Sequence, residues 1–200
     1  MMQIIINKGF PELWIKWMKI IFTSGTSAAL LNGVPGKVFH CKSGMRQGDP
    51  LSPLLFLLAA DFLQSILNLA QQQGLLSPPM PLPHDHDFPI LQYADDTLIF
   101  MQGDSRQLFF LKAILNSFAE SIGLKVNYAK SIMVPININE DRFNLLAQTF
   151  GCSKGTLPFT YLGLPLSLTK PTVADFWPLV SKCERRLTSI SSFLSQAGRL

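Results

Sequence analysis

The sequence predicts an α+β domain, and three observations support this fold class. β-Prone runs alternate with helical runs along the chain, and turn-rich residues at 32–36, 95–96 and 128–130 each separate two β-prone runs. Because such turns join antiparallel neighbours, hairpins are expected rather than parallel crossovers. Hydrophobic residues make up 48% of the chain and charged residues 15%, which is typical of a domain with a large buried fraction.

Helices are predicted from apolar residues three and four apart and from the residues at the helix ends. They span residues 10–22, 53–73, 105–122, 140–150 and 176–194. Glu12 suits the first turn of the first helix, Ser52 is the expected N-cap of the second, and Asn139 is that of the fourth. Gly123 ends the third helix, as glycine commonly does at a C-terminus.

The β-prone runs between these helices predict strand pairs. They are residues 28–31 with 37–41, residues 88–91 with 97–101, and residues 124–127 with 131–134, followed by a strand and tight turn over 160–166. Prolines in residues 77–83 predict an extended surface loop before the second pair.

Charge and cysteine content narrow the class of protein. The formal net charge is +4, and basic residues exceed acidic ones before Asp49, which fits a nucleic-acid partner but also ordinary surface lysines. Cys41, Cys152 and Cys183 are widely spaced. They predict neither a disulfide framework nor a zinc site, so a reducing compartment is expected.

The sequence predicts an intracellular protein, in the nucleus or cytoplasm, with no transmembrane segment. No signal peptide is evident, because the short isoleucine run at residues 4–6 ends at Asn7. The longest apolar segment, residues 51–70, contains Pro53, Asp61 and further polar residues. These residues favour a buried helix over a membrane span.

Two adjacent carboxylates, Asp95 and Asp96, lie at the turn of the second strand pair. Such a turn presents carboxylate oxygens to one point, and a hard divalent cation such as Mg²⁺ prefers oxygen ligands and commonly brings phosphates with it. An ordinary polar turn is the alternative, because Asp is favoured in turns for backbone reasons. The pair alone does not decide between the two.

Glycine-rich residues 44–53 open the second helix. Glycines let the backbone approach another molecule closely, and Arg46 and Gln47 lie beside the positive end of the helix dipole, where a phosphate or nucleotide could bind. An ordinary loop before an ordinary helix is the equal alternative. Residues 84–87 alternate His and Asp, but without a further ligand nearby a solvated strand edge is favoured over a metal site.

Three motifs stand in a fixed order: RQGDPLSP at residues 46–53, YADD at 93–96 and GLKVNYAK at 123–130. In this order and spacing the chain resembles the reverse transcriptase domain of LINE-type (non-long-terminal-repeat) retrotransposons, particularly those common in plant genomes. The resemblance extends from GFP at residues 9–11 through YLGLP at 161–165 to the last helix. It therefore covers nearly the whole chain.

The resemblance implies a polymerase palm, an antiparallel sheet packed with helices, followed by the start of a helical thumb. It assigns residues 1–166 to a partial palm and residues 167–200 to the thumb. The implied activity is RNA-directed DNA polymerisation, with an RNA template, a DNA primer and deoxynucleoside triphosphates as partners. Mg²⁺ or Mn²⁺ is the implied cofactor.

The same resemblance assigns roles to individual residues. These are Asp95, Asp96 and Lys130 for catalysis, the two aspartates also as metal ligands; Arg46, Gln47, Gly48 and Tyr93 for nucleotide and template binding; and Tyr161, Leu162 and Gly163 for the primer grip. Lys130 would lie near the incoming triphosphate as a proton donor to pyrophosphate. Lys182, Arg185 and Arg186 would follow the duplex backbone.

The chain departs from the family pattern in its first residues. The family has a third metal-binding carboxylate on a strand upstream of the GFP helix, whereas residues 1–8 contain no Asp or Glu. Two-metal nucleotidyl transfer holds ions about 3.5–4 Å apart, and two carboxylates on one turn cannot hold both. The fingers and the first palm strand are also missing, and the last residues carry no ending signal, so a truncated palm is expected.

We therefore expect these 200 residues alone to be inactive, with metal held weakly and with an exposed sheet edge beside the hairpin. The alternative is a non-catalytic, retrotransposon-derived remnant that binds nucleic acid. A Mg²⁺-dependent phosphohydrolase ranks lower, because no further Asp or Glu residues cluster near the pair.

Overall fold

The computed structural model describes residues 1–41, 48–81, 83 and 86–197, with side chains described as far as residue 188. It combines helices with small sheets, which confirms the predicted α+β class. The helices are α1 Met2–Asn7, α2 Glu12–Ser24, α3 Ser52–Gln72, α4 Ser105–Ile122, α5 Glu140–Phe150 and α6 Trp177–Ala197, with a 3₁₀ turn at Val173–Phe176.

The strands are short and remain in separate two-stranded pairs within the described ranges. They are β1 Thr26–Ser27, β2 Leu30–Leu31, β3 Val34–Pro35, β4 Phe39–His40, β5 Ile90–Tyr93, β6 Asp96–Ile99, β7 Ile132–Met133, β8 Ser153–Lys154, β9 Phe159–Tyr161 and β10 Leu164–Leu166. Pairs β1–β4, β2–β3, β5–β6 and β9–β10 are antiparallel, whereas β7–β8 is parallel.

The chain divides into two compact units, Met1–Asn127 and Tyr128–Leu200. Each unit has buried residues of its own. In the first, α4 packs against α3, and in the second, α5 packs beside β8. The boundary predicted at residue 166 between palm and thumb stays a prediction.

The first helices of the chain pack together around Ile5, Met18 and Leu55. The isoleucine run at residues 4–6 belongs to α1, a helix that was not predicted from the sequence. Ile4 and Ile5 are its buried residues, which explains why a short apolar run forms a helix here: packing stabilises it more than propensity does. The Lys8 side chain, after α1, makes an ion pair with Asp61 on α3.

Helix α3 begins one residue earlier than predicted, and the predicted N-cap is wrong. Leu51 is the N-cap residue, and Ser52 is already helical. Asp49 provides the cap instead, since its Oδ1 accepts a hydrogen bond from the Leu51 amide at 2.8 Å and its carbonyl accepts one from the Ser52 amide at 3.1 Å. A carboxylate at this end of the helix also suits the dipole.

Within the described residues, α3 is the helix whose length and hydropathy would allow it to cross a membrane. One stripe of it is buried against the rest of the unit, at Leu55, Ala59, Leu63, Leu67 and Ala70. That packing and the ion pair of Asp61 favour a helix packed against protein. The absence of a membrane span stays a prediction.

The hairpin predicted from residues 28–31 and 37–41 is partly wrong. Two nested pairs form instead, because Val34 and Pro35 pair with Leu31 and Leu30 rather than lying in the turn. The turn is confined to Asn32 and Gly33, with φ of 48° and 82°. These left-handed values fit a two-residue hairpin turn and explain why the strands begin directly beside it.

Helices α4 and α5 confirm the predicted bounds. α4 ends at Gly123 with φ of 75°, and the Asp104 side chain caps its start by accepting from the amides of Arg106 and Gln107, each at 3.0 Å. The Asn139 side chain caps α5 as predicted, accepting from the Asp141 amide at 2.8 Å. Local signals therefore determine both helices.

The strand pair predicted from residues 124–127 and 131–134 is wrong. The Leu124 amide donates to the Ala119 carbonyl at 2.9 Å, so the segment after α4 continues the helix C-cap and forms no strand. β7 pairs instead with β8, which follows α5, and that pairing is parallel. β7 thus pairs with β8, which is distant in sequence, rather than with residues 124–127, because the chain after α5 runs alongside β7.

Candidate active site

The Asp95–Asp96 motif lies at the tip of the β5–β6 hairpin. Tyr93 pairs with Asp96, which leaves Ala94 and Asp95 as a two-residue turn. The φ of Ala94 is 49°, so the turn begins in the left-handed region that tight hairpins require. Asp95 is therefore the second residue of the turn, and Asp96 is the first residue of β6.

Both carboxylates are exposed, and neither has a hydrogen-bond or ion-pair partner among the residues that the structure describes. Adjacent oxygen ligands without protein partners suit a hard divalent cation such as Mg²⁺ or Mn²⁺. In the described ranges no group of three His, Cys, Asp or Glu side chains could hold a metal ion. The hairpin thus offers two ligands of a set that needs more.

The two faces of the hairpin differ in their surroundings. The Gln92 side chain faces α3, where its Nε2 donates to the Ala60 carbonyl at 3.0 Å. Paired residues of an antiparallel ladder share a face, so Tyr93 and Asp96 lie on the opposite face from Gln92. Tyr93 is 60% exposed there. The Tyr93 ring is therefore open to solvent on the same face as the Asp96 carboxylate.

A groove separates the hairpin from the first half of α3. Its volume is about 380 Å³, and the apolar side chains of Phe56 and Leu57 line it together with residues 92–94 of the hairpin. Asp61 and Gln64 provide polar groups along its α3 wall. The groove thus reaches the base of the turn that carries Asp95.

The motif at residues 46–53 is only partly within the described residues. Arg46 and Gln47 lie outside them, and so do His84 and Asp85 of the His–Asp run. Gly48 is exposed with φ of 82°, a left-handed conformation that favours glycine. The Asp49 contacts described above already occupy the amides of Leu51 and Ser52, so fewer amides of α3 are available to a phosphate than the sequence predicts. The binding roles stay predictions.

Lys130 belongs to the other unit and lies exposed in the turn before β7. Its neighbour Tyr128 packs edge-on against Phe150, with ring centroids 5.3 Å apart. Burial raises the pKa of the Tyr128 phenol. Tyr128 is thus a packing residue that fixes the start of this turn, and the role of Lys130 near the triphosphate stays a prediction.

The predicted primer-grip residues form a tight hairpin. β9 and β10 are joined by Leu162 and Gly163, with φ of 51° and 86°, which is the left-handed pair of a type I′ turn. Leu162 is 50% exposed at the tip. The Tyr161 hydroxyl points inward and is buried, without a hydrogen-bond partner in the described part of the chain. The tip, rather than the Tyr161 hydroxyl, is therefore the accessible part of this hairpin.

We expect Tyr161→Phe to raise the free energy of unfolding of the unit Tyr128–Leu200 by about 1 kcal/mol, because a buried hydroxyl without a partner costs roughly 1–3 kcal/mol. Thermal unfolding of the variant and the wild type measures the change. The control is Tyr93→Phe, whose hydroxyl is on an exposed residue and should matter little. A less stable Tyr161→Phe variant would show that the hydroxyl has a partner.

The residues that hold the β5–β6 hairpin on α3 were not predicted from the sequence. Gln64 and Asn68 contact Phe88, and Gln92 contacts Ala60. The available signal was a pair of amide side chains four residues apart in a largely apolar helix. Polar residues on the inner side of a helix need hydrogen-bond partners, and the hairpin supplies them.

Comparison with known families agrees with this geometry. The sequence profile of one family, described as reverse transcriptase (RNA-dependent DNA polymerase), matches residues 3–166. The chain belongs to the reverse transcriptase family. The match includes both the β5–β6 hairpin and the β9–β10 hairpin, so both candidate site segments lie within the family domain.

One relative is an uncharacterized mitochondrial protein of Arabidopsis thaliana. The two sequences are 38% identical over 68 residues, which are 34% of this chain and 56% of the relative. The chain therefore spans just over half the length of that relative. Divalent metals, a template and primer, and deoxynucleoside triphosphates are general to the reverse transcriptase family, and their binding by this chain is a proposal.

Proposed function

We propose that this chain is the palm portion of a LINE-type reverse transcriptase, in which Asp95 and Asp96 bind the divalent cation that nucleotidyl transfer needs. The observation that carries the proposal is the exposed Asp95–Asp96 pair at a tight hairpin turn in a member of the reverse transcriptase family. Neither carboxylate is engaged with another described residue, so both are available as ligands.

Each residue of the hairpin has a separate task in this proposal. Asp95 and Asp96 hold Mg²⁺ or Mn²⁺, and a cation bound there supplies positive charge to the phosphates of the incoming nucleotide. The exposed Tyr93 ring offers a stacking surface next to them. Because Gln92 is bonded to α3, the turn keeps its position while substrate binds.

The residues outside the hairpin would bind nucleic acid. The exposed Leu162–Gly163 turn contacts the primer strand through backbone groups, and Arg46, Gln47 and Gly48 line the nascent base pair. Lys182, Arg185 and Arg186 are exposed on α6 and contact duplex phosphates, a contact independent of base sequence. The protein acts inside the cell, where such templates occur.

Among the residues that the structure describes, no third carboxylate, histidine or cysteine joins Asp95 and Asp96 in a group that could hold a metal ion. We expect these 200 residues alone to bind metal weakly and not to extend a primer. The weak site favours a second candidate function, a nucleic-acid-binding remnant without turnover. The exposed basic residues of α6 suit that function equally well.

A Mn²⁺ titration followed by electron paramagnetic resonance tests the proposed metal site. Asp96→Asn should weaken Mn²⁺ binding by about tenfold or more, which is about 1.4 kcal/mol, since one of two charged ligands is lost. The control is Asp141→Asn, which removes an exposed carboxylate from the start of α5. Equal Mn²⁺ binding by wild type, Asp96→Asn and the control would contradict the proposal.

Primer extension separates the candidate functions further. No extension by the wild-type chain is expected, with Asp95→Ala as the background. Extension above that background with Mn²⁺ or Mg²⁺ would contradict the expected inactivity. Binding of an RNA–DNA duplex without any Mn²⁺ binding at Asp95 and Asp96 would favour the remnant.

A further inference from the structure

Phe88 lies at the entrance to the β5–β6 hairpin and is almost completely buried, with 1% of its surface exposed. It precedes β5, so no ladder partner is available for its backbone. A buried amide or carbonyl without a partner is strongly unfavourable, and proteins almost always satisfy both. Here side chains of α3 satisfy them.

Two amide side chains of α3 bind the two backbone groups of Phe88. The Phe88 amide donates to Asn68 Oδ1 at 2.8 Å, and Gln64 Nε2 donates to the Phe88 carbonyl at 3.0 Å. Gln64 Nε2 also donates to Asn68 Oδ1 at 2.9 Å, which fixes the two side chains relative to each other. Together they replace the neighbouring strand that Phe88 lacks.

Further contacts extend this attachment in both directions. Asn68 Nδ2 donates to Asp87 Oδ1 at 2.6 Å, and Gln92 Nε2 donates to the Ala60 carbonyl. Residues 60, 64 and 68 are four apart and therefore form one stripe along α3. The hairpin is attached along this stripe as far as Gln92, three residues before Asp95. Asp95 and Asp96 thus lie on a short hairpin tip that is attached to α3 at two places, Phe88 and Gln92.

We infer that Gln64 and Asn68 are positioning residues: by substituting for a strand partner of Phe88, they fix where the Asp95–Asp96 turn lies relative to α3. The consequence for catalysis rests on the proposed function. α3 follows residues 46–48, which the family resemblance assigns to nucleotide and template binding. The same helix would therefore set the distance between the nucleotide-binding segment and the metal-binding turn.

Hydrogen exchange followed by mass spectrometry tests the attachment on the full chain. Gln64→Leu should speed exchange of the amides in residues 90–99 by about tenfold, which is about 1.4 kcal/mol, because the Phe88 carbonyl loses its donor. Exchange within α4 should change less than twofold. The matched control is Gln72→Leu, an exposed glutamine of α3 for which the structure describes no partner.

A swap of donor and acceptor distinguishes a positioning role from a general loss of stability. Asn68→Asp keeps an acceptor for the Phe88 amide but places two carboxylates in contact, so exchange in residues 90–99 should rise about fivefold or more. Asp87→Asn alone should have little effect. The double variant Asn68→Asp with Asp87→Asn again places an amide donor against a carboxylate acceptor. Its exchange rate in residues 90–99 should return to within about twofold of wild type.

The result that would overturn the inference is unchanged exchange in residues 90–99 for both Gln64→Leu and Asn68→Asp, or failure of the swap to restore protection. The Mn²⁺ affinity of the swap series should follow the same order as the exchange rates. If wild type binds Mn²⁺ no better than Asp96→Asn, the proposed function fails. The exchange data still decide whether Gln64 and Asn68 position the hairpin.

Discussion

Phe88→Ala is expected to lower the free energy of unfolding of the unit Met1–Asn127 by about 3–5 kcal/mol, the range for truncating a buried aromatic side chain. Phe88 is among the largest fully buried side chains of the protein. Its removal leaves a cavity beneath the start of β5. Whole domains are stable by only about 5–15 kcal/mol, so this change removes a large share of the total.

The Phe88→Ala substitution destabilises the protein in two ways, and both act at the start of β5. The ring loses its burial, and the backbone groups that Gln64 and Asn68 hold become accessible to water as the segment loosens. The β5–β6 hairpin should therefore lose order before α4 does. This makes Phe88→Ala more damaging to the candidate site than an equal loss of stability elsewhere in the unit.

Urea unfolding followed by tryptophan fluorescence measures this prediction. Trp177→Phe as a background leaves Trp14 and Trp17 as reporters, and both belong to the unit Met1–Asn127. The control is Phe109→Ala, since Phe109 is 66% exposed on α4 and its loss should cost less than about 1.5 kcal/mol. Equal costs for the two alanine variants would show that Phe88 does not support the core.

The sequence predicted best those elements whose signals are local. The bounds of α4 and α5 follow from their caps and from the glycines after them, because capping chemistry acts within a few residues. The Asp95–Asp96 turn was predicted for the same reason. A tight turn between two β-prone runs needs no information from the rest of the chain.

Elements that depend on distant partners could not be predicted in the same way. Residues 124–127 have the composition of a strand, yet the Leu124 amide donates a hydrogen bond to the last turn of α4. The edge of β7 pairs with β8 instead. The attachment of Phe88 to Gln64 and Asn68 joins residues 24 and 20 positions apart. Strand propensity depends on such neighbours, so the sequence predicted the Asp95–Asp96 turn but not the residues that hold it.

Leu146→Ala is expected to destabilise the unit Tyr128–Leu200 by about 2–5 kcal/mol. Leu146 is 1% exposed and lies among Phe143, Ala147 and Phe150, the other buried residues of α5. Small cores leave little stability in reserve. The truncation should therefore expose the amides of α5 and of the β7–β8 pair, which Ile132 and Met133 form with Ser153 and Lys154.

Leu145 supplies the matched control, because it is the preceding residue of the same helix and is 58% exposed. Leu145→Ala makes the same change in helix propensity as Leu146→Ala but removes no buried side chain. It should change the free energy of unfolding by no more than about 0.5 kcal/mol. Hydrogen exchange resolved to α5 and α4 measures both variants, since these helices lie in different units. Leu146→Ala should release α5 while α4 stays protected. Exchange rising equally in α4 would contradict the prediction that the two units have separate cores.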